Sequence, residues 1–141
     1  IKAGKGVGAG IVLGGRLYQG DGFGAGEIGH IGFVDDGAAC RCGRFGCLET
    51  VASADAIVAR ARALAAEDGD SILARTARRG DELALSDVRA AFHLGDLPAV
   101  TAVLEGGRAL GAGIAALIGV MDIHRVAIHG SVTTFGIVIR T

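Results

Sequence analysis

The stretch "GEIGHIGFVDDGAACRCGRFGCLE", residues 26–49, holds all three cysteines of the chain and one of its four histidines. His30, Cys40, Cys42 and Cys47 supply one imidazole and three thiols, the donor set of a closed tetrahedral zinc shell. Both thiolates of Cys40-Arg41-Cys42 can reach one ion if the turn is tight, and Gly43 and Gly46 permit such a turn. The glycines and Asp35-Asp36 let the chain fold back and bring His30 in. Arg41 and Arg44 offset part of the thiolate charge. The same spacing also fits three buried free cysteines, or one disulfide with a thiol left over, because Cys-x-Cys-x4-Cys is less diagnostic than paired Cys-x-x-Cys. A closed site organises a loop and does no chemistry itself. His93, His124 and His129 lack comparable company and read as surface or core-edge residues.

Around this segment lies a chain of 141 residues, half of them hydrophobic and 21% charged, with a net charge of -1. That composition supports a packed core and argues against disorder. It offers no basic footprint for nucleic acid and no cationic face for a membrane. Aromatics at 4% are too few for a base-stacking platform. No signal peptide is visible, and the longest apolar run, Ala109 to Met121, reads as a buried helix too short to span a bilayer. The expectation is a cytoplasmic protein with reduced cysteines. The chain reads as cut at both ends, because Ile1 opens inside a strand-like segment and "FGIVIRT" closes on apolar residues.

The spacing predicts an α/β fold with helices dominating the second half. Residues 1–20 read as a glycine loop and a hairpin turning at Gly14-Gly15, a dipeptide suited to positive φ. Residues 21–49 read as the ligand-bearing loop, 50–121 as a helical region, and 122–141 as a strand and the start of a final helix. Within 50–121, Val51 to Ala66 is helical with Ser53 as a cap and Ile57, Ala61 and Leu64 on one face. A short helix over Ser71–Arg79 ends at Gly80. Ser86 caps "DVRAAFHL", which Gly95 closes. Asp96 caps a long helix from Leu97 to about Met121, with Pro98 in its first turn. Gly106, Gly107, Gly111 and Gly113 make sense inside it only where another element packs very close. "RVAIHGSV" reads as a buried strand ending at Gly130-Ser131.

Two carboxylates flank the cluster. Glu27 lies three residues before His30, and Glu49 two after Cys47. If a metal draws His30 and Cys47 together, both carboxylates approach one region and can accept hydrogen bonds from a polyol. His30 bound through one ring nitrogen keeps the other as a donor. "GKGVGAG", from Gly4 to Gly10, brings backbone N–H groups to where they could meet phosphate. It is neither a P-loop nor a dinucleotide fingerprint, since neither Lys-Ser/Thr nor a helix follows.

"GAGEIGH" followed by "CRCGRFGCLE" resembles the signature of the ROK family of bacterial sugar kinases and sugar-responsive repressors. "GVGAGIVLGGRLYQG", "GDLPAVTAVLEGGRALGAGIAALIGV" and "RVAIHGSV" resemble the same family in the same order, over nearly the whole chain. The resemblance implies an actin-like ATPase, ribonuclease H-like fold with a structural zinc at His30, Cys40, Cys42 and Cys47. It implies that Glu27, His30 and Glu49 contact sugar hydroxyls, and that Gly4, Gly6, Gly8 and Gly130 stand on the nucleotide side. It also implies a homo-oligomer.

The family's catalytic aspartate and first phosphate loop lie before the residues matching Ile1, so no catalytic residue is expected here and this chain alone is not a competent kinase. Lys5 stands where a hydroxyl residue is usual and His129 where a glycine is usual. "CLETVAS", with Thr50 after Glu49, looks nearer the repressor branch. The favoured reading is therefore the sugar-binding, zinc-containing domain of a repressor of carbohydrate metabolism, which would reach DNA through an N-terminal winged helix-turn-helix absent from this chain. The alternative is part of an ATP- and Mg-dependent sugar kinase of the glucokinase or N-acetylhexosamine kinase type. A plain structural zinc domain is the third.

Overall fold

The computed structural model describes residues 1–80 and 82–136. Two antiparallel pairs form the N-terminal end. β1 (Lys2–Ala3) pairs with β2 (Val7–Gly8) around Gly4-Lys5-Gly6, and β3 (Ile11–Leu13) pairs with β4 (Arg16–Tyr18). Gly14 and Gly15 take φ of 56° and 78°, so the second pair is the expected two-residue hairpin, with Leu13 opposite Arg16. The first pair escapes a reading of periodicity because its strands are only two residues long.

The loop between β4 and the helices contains one 3-10 turn, Ile28–His30. Among the described residues five α-helices follow: α1 (Glu49–Ala52), α2 (Ala54–Glu67), α3 (Ile72–Ala77), α4 (Leu85–His93) and α5 (Leu97–Met121). Ser53 caps α2 as expected, its hydroxyl accepting from Ala56 N at 3.2 Å, and it separates α2 from the short α1. Ser71 caps α3 in the same way. Two expected caps differ. Ser86 lies inside α4, which starts one residue earlier because the Asp87 carboxylate accepts from Ala84 N at 2.8 Å. Asp96 holds the N-cap position of α5 and its carbonyl accepts from Val100 N at 2.9 Å, but its side chain makes no cap bond there; Oδ1 instead accepts from Ile72 N at 2.5 Å, at the start of α3.

The core lies between α2 and α5, with α1, α3 and α4 around them. Leu48, Ile57, Leu73, Val88 and Val103 are among its fully buried side chains. Two of the α5 glycines have the expected reason. A Cβ on Gly106 would come within 2.8 Å of Ile57, and one on Gly113 within 2.5 Å of Leu48. Gly111 faces open space. At 25 residues, α5 is long and apolar enough to cross a bilayer by length and composition, longer than the Ala109–Met121 run suggested. Its buried face, from Ala99 through Val103 and Leu110 to Ile114, is built into the core instead.

The segment before Gly130 runs parallel to β1. Ala3 N donates to His129 O at 2.8 Å and His129 N to Ile1 O at 2.9 Å. "RVAIHGSV" is therefore not the buried strand expected. Val126, Ala127 and His129 are exposed, since β1 flanks the segment on one edge while its faces stay largely uncovered. Ser131–Phe135 forms a 3-10 turn, and the part of the expected final helix in residues 137–141 lies outside the described residues.

Candidate functional site

Backbone pairing brings the dispersed ligands together. Residues 31–34 run antiparallel to 46–48: Phe33 N and Val34 N donate to Gly46 O, and Leu48 N donates to Ile31 O. Gly32 faces Cys47 across this ladder, which carries His30 to the thiols. Cys40 and Arg44 close a tight knuckle, with Cys40 N donating to Arg44 O at 2.7 Å and Gly43 N to Cys40 O at 2.9 Å. The glycines are steric requirements here. Gly46 has φ of 65°, and a Cβ on it would sit 1.8 Å from Val34 O. A Cβ on Gly29 would sit 2.1 Å from Val7 O, so only glycine lets His30 approach β2.

One ligand atom from each of His30, Cys40, Cys42 and Cys47 lies within 4.8 Å of the others. The three cysteines are free, so the disulfide alternative does not describe this arrangement. Zn–S bonds near 2.3 Å and Zn–N bonds near 2.0–2.1 Å imply tetrahedron edges of about 3.8 Å for S···S and about 3.6 Å for S···N. The observed Cys42–Cys47 separation is 3.6 Å, and Cys40 Sγ stands 3.4 Å from His30 Nδ1. The four residues thus fit a four-coordinate metal before any metal is present. The thiols are electrostatically unequal. The Arg44 backbone N–H lowers Cys42 to about 6, while burial raises Cys47 to about 11.

His30 faces two ways. Its Nδ1 points to the thiols, and its Nε2 lies 3.8 Å from the carboxylate of Glu27, which is exposed. A metal on Nδ1 would leave Nε2–H to donate towards Glu27 or a ligand beside it.

Glu49 lies in a different setting from Glu27. It is buried, and its Oε2 accepts from Val7 N at 2.9 Å. Arg41 grips both oxygens, Nε to Oε1 at 2.8 Å and Nη2 to Oε2 at 3.2 Å. Val7 lies between Glu49 and the turn that carries His30, because its N–H meets Glu49 and its carbonyl abuts Gly29. Sequence spacing offered no sign of the Arg41–Glu49 pair, which spans eight residues of non-helical chain.

Among the glycines assigned to the nucleotide side, Gly4 and Gly130 lie on adjoining segments, each beside the other's chain neighbour. A Cβ on Gly4 would touch Ser131 Oγ at 3.5 Å, and one on Gly130 would lie 2.2 Å from Ala3 O. Gly6 lies instead against the Glu49–Arg41 pair, and Gly8 near Gly26. His93, His124 and His129 are exposed and outside the cluster. A cavity of about 610 Å³, lined by Ile11, Val12, Leu117, Met121 and Val126 among others, contains none of the expected site residues.

The ROK family matches residues 1–141. A glucokinase of Halalkalibacterium halodurans is 39% identical over 137 residues, covering 96% of this chain and 42% of that protein. The DNA-binding transcriptional dual regulator NagC of Escherichia coli K12 is 34% identical over 133 residues, covering 94% of this chain and 32% of that protein. Among solved structures, a ROK family glucokinase from Streptomyces griseus in complex with glucose and AMPPNP superposes with a TM-score of 0.83 at 34% identity, over 95% of this chain and 44% of that one. A ROK family transcriptional regulator homologous to the Escherichia coli MLC protein gives a TM-score of 0.81 at 40% identity, over 95% of this chain and 33% of that one. The chain thus spans about a third to under half the length of these relatives, which include both kinases and transcriptional regulators. With the family matched end to end and the Cys3His cluster assembled, the chain belongs to the ROK family.

Proposed function

We propose that this chain is the sugar-binding, zinc-organised effector domain of a ROK-family transcriptional repressor of carbohydrate metabolism. The observation that carries the sugar site is the two-faced His30, with Nδ1 in the thiol cluster and Nε2 beside Glu27. Zinc held by His30, Cys40, Cys42 and Cys47 would lock the loop and supply no reaction. Glu27 and His30 would then receive and donate hydrogen bonds to sugar hydroxyls, with Glu49 completing the polar wall. Such a site answers a sugar by changing which arrangement of the whole protein is more stable. Only unequal affinity for two arrangements can alter DNA binding.

Lys5 and His129, both exposed at the glycine turns, favour the repressor reading over the kinase. One observation favours the kinase: the segments of Gly4 and Gly130 adjoin, as two glycine turns around one phosphate-bearing ligand would. The full-length polypeptide decides between them. Sugar-dependent release of operator DNA, without ATP-dependent phosphorylation of glucose or N-acetylglucosamine, supports the repressor. Sugar phosphorylation that stops on loss of an upstream aspartate overturns it.

A further inference from the structure

We propose that Arg41 is an internal competitor for the ligand of Glu49, its guanidinium standing where a sugar diol stands in the bound state. This rests on the reading of Glu49 as a sugar-contacting group. Arg41 meets the carboxylate fork on fork, at 2.8 Å and 3.2 Å. The Arg41 side chain is 69% exposed and that of Glu49 9%, so the arginine covers the carboxylate from the solvent side. Two other approaches are occupied. Val7 N holds Oε2 from the interior, and Gly6 lies so near that a Cβ there would meet Oε2 at 2.8 Å and Arg41 Nη2 at 2.9 Å. An ionised carboxylate has about four acceptor positions. Val7 N and Arg41 Nη2 occupy the two on Oε2, and Arg41 Nε stands 2.8 Å from Oε1 as an ion-pair contact, so both oxygens face one group that can leave.

A vicinal diol offers two O–H donors to one carboxylate, the same two-pronged pattern that the guanidinium presents. A diol can therefore replace Arg41 without disturbing Val7. The exchange needs no loop movement. Cys40 and Cys42 flank Arg41, so a bound metal anchors the backbone on both sides while the exposed side chain is free to swing. Ligand binding at Glu49 then becomes an exchange of partners, in which affinity is set by the difference between diol and guanidinium.

The test uses the full-length, metal-loaded protein titrated calorimetrically with glucose and with N-acetylglucosamine. Arg41→Met removes the competitor and is expected to tighten binding about fivefold, the worth of a partly exposed ion pair, with metal content unchanged. Arg41→Lys, which keeps the charge but loses the fork, should fall between wild type and Arg41→Met. Added salt should strengthen wild-type binding by screening the pair, and leave Arg41→Met indifferent. Binding by Arg41→Met that is equal or weaker with metal retained overturns the proposal, as does loss of metal on that substitution. Should Arg41→Met not fold, the salt response of the wild type and the Arg41→Lys affinity decide by the same criteria. The underlying site reading fails separately: in that case Glu49→Gln and Glu27→Gln would both bind as the wild type does.

Discussion

Single atoms decide the behaviour of the cluster. Replacing Cys42 by Ser removes one of four donors, and metal content measured after dialysis should fall. Retention of a full equivalent would exclude zinc at these four residues. The pH response follows from the unequal thiols. A metal binds thiolates, so at neutral pH it must expel the proton that burial holds on Cys47, whose value is about 11, while Cys42, at about 6, is already ionised. Metal affinity should therefore climb with pH from neutrality upwards as the Cys47 proton is released more readily, and steepen below about pH 6 as Cys42 also protonates. Competition titrations across that range check the slope; an affinity independent of pH would contradict it. Glu27→Gln should weaken sugar binding while leaving metal content intact, because Glu27 stands 3.8 Å from His30 Nε2, on the side away from the thiols.

Helix ends and helix faces carry a second set of consequences. Asp96 links two helices, accepting from the first N–H of α3 while it precedes α5. Its other oxygen is buried without a partner. Asp96→Ala should destabilise the protein by about 1–2 kcal/mol in denaturant melts, through the orphaned Ile72 N–H and the lost negative charge at two helix starts. Asp96→Asn, which keeps an acceptor, should cost less. Along α5 the glycines separate by surroundings. Gly111→Ala meets nothing within 4 Å and should stabilise by about 0.5–1 kcal/mol. Gly113→Ala presses on Leu48, which is fully buried and has nowhere to yield, so it should destabilise. Thermal melts of the two alanine variants should move in opposite directions.

Across the whole molecule, two regions are held by different means. The helices share one apolar core, whereas residues 26–49 have few buried side chains and depend on backbone ladders, glycine contacts and the ligand cluster. Chelation of the metal should therefore leave helical circular dichroism nearly intact while amides of 30–48 exchange faster. Simultaneous loss of both would show that the loop and the helical core unfold as one unit.

Much of this was legible in residue order because it is local. The Gly14-Gly15 hairpin, the Ser53 cap and the long helix beginning at Leu97 depend on neighbours a few positions away, where dihedral preference and helical spacing act. The donor set was legible from residue chemistry alone, since few residue types bind soft metals. Other features required the chain to be folded. Asp87 displaced Ser86 as the α4 cap, Asp96 turned to α3, and the segment before Gly130 lay beside β1 with its side chains exposed. The fork between Arg41 and Glu49, and its contact with Val7 and Gly6, likewise joins segments that no spacing relates. Local preferences are set by the backbone at each residue. The choice among several possible polar partners is made only when packing decides which of them lose their water.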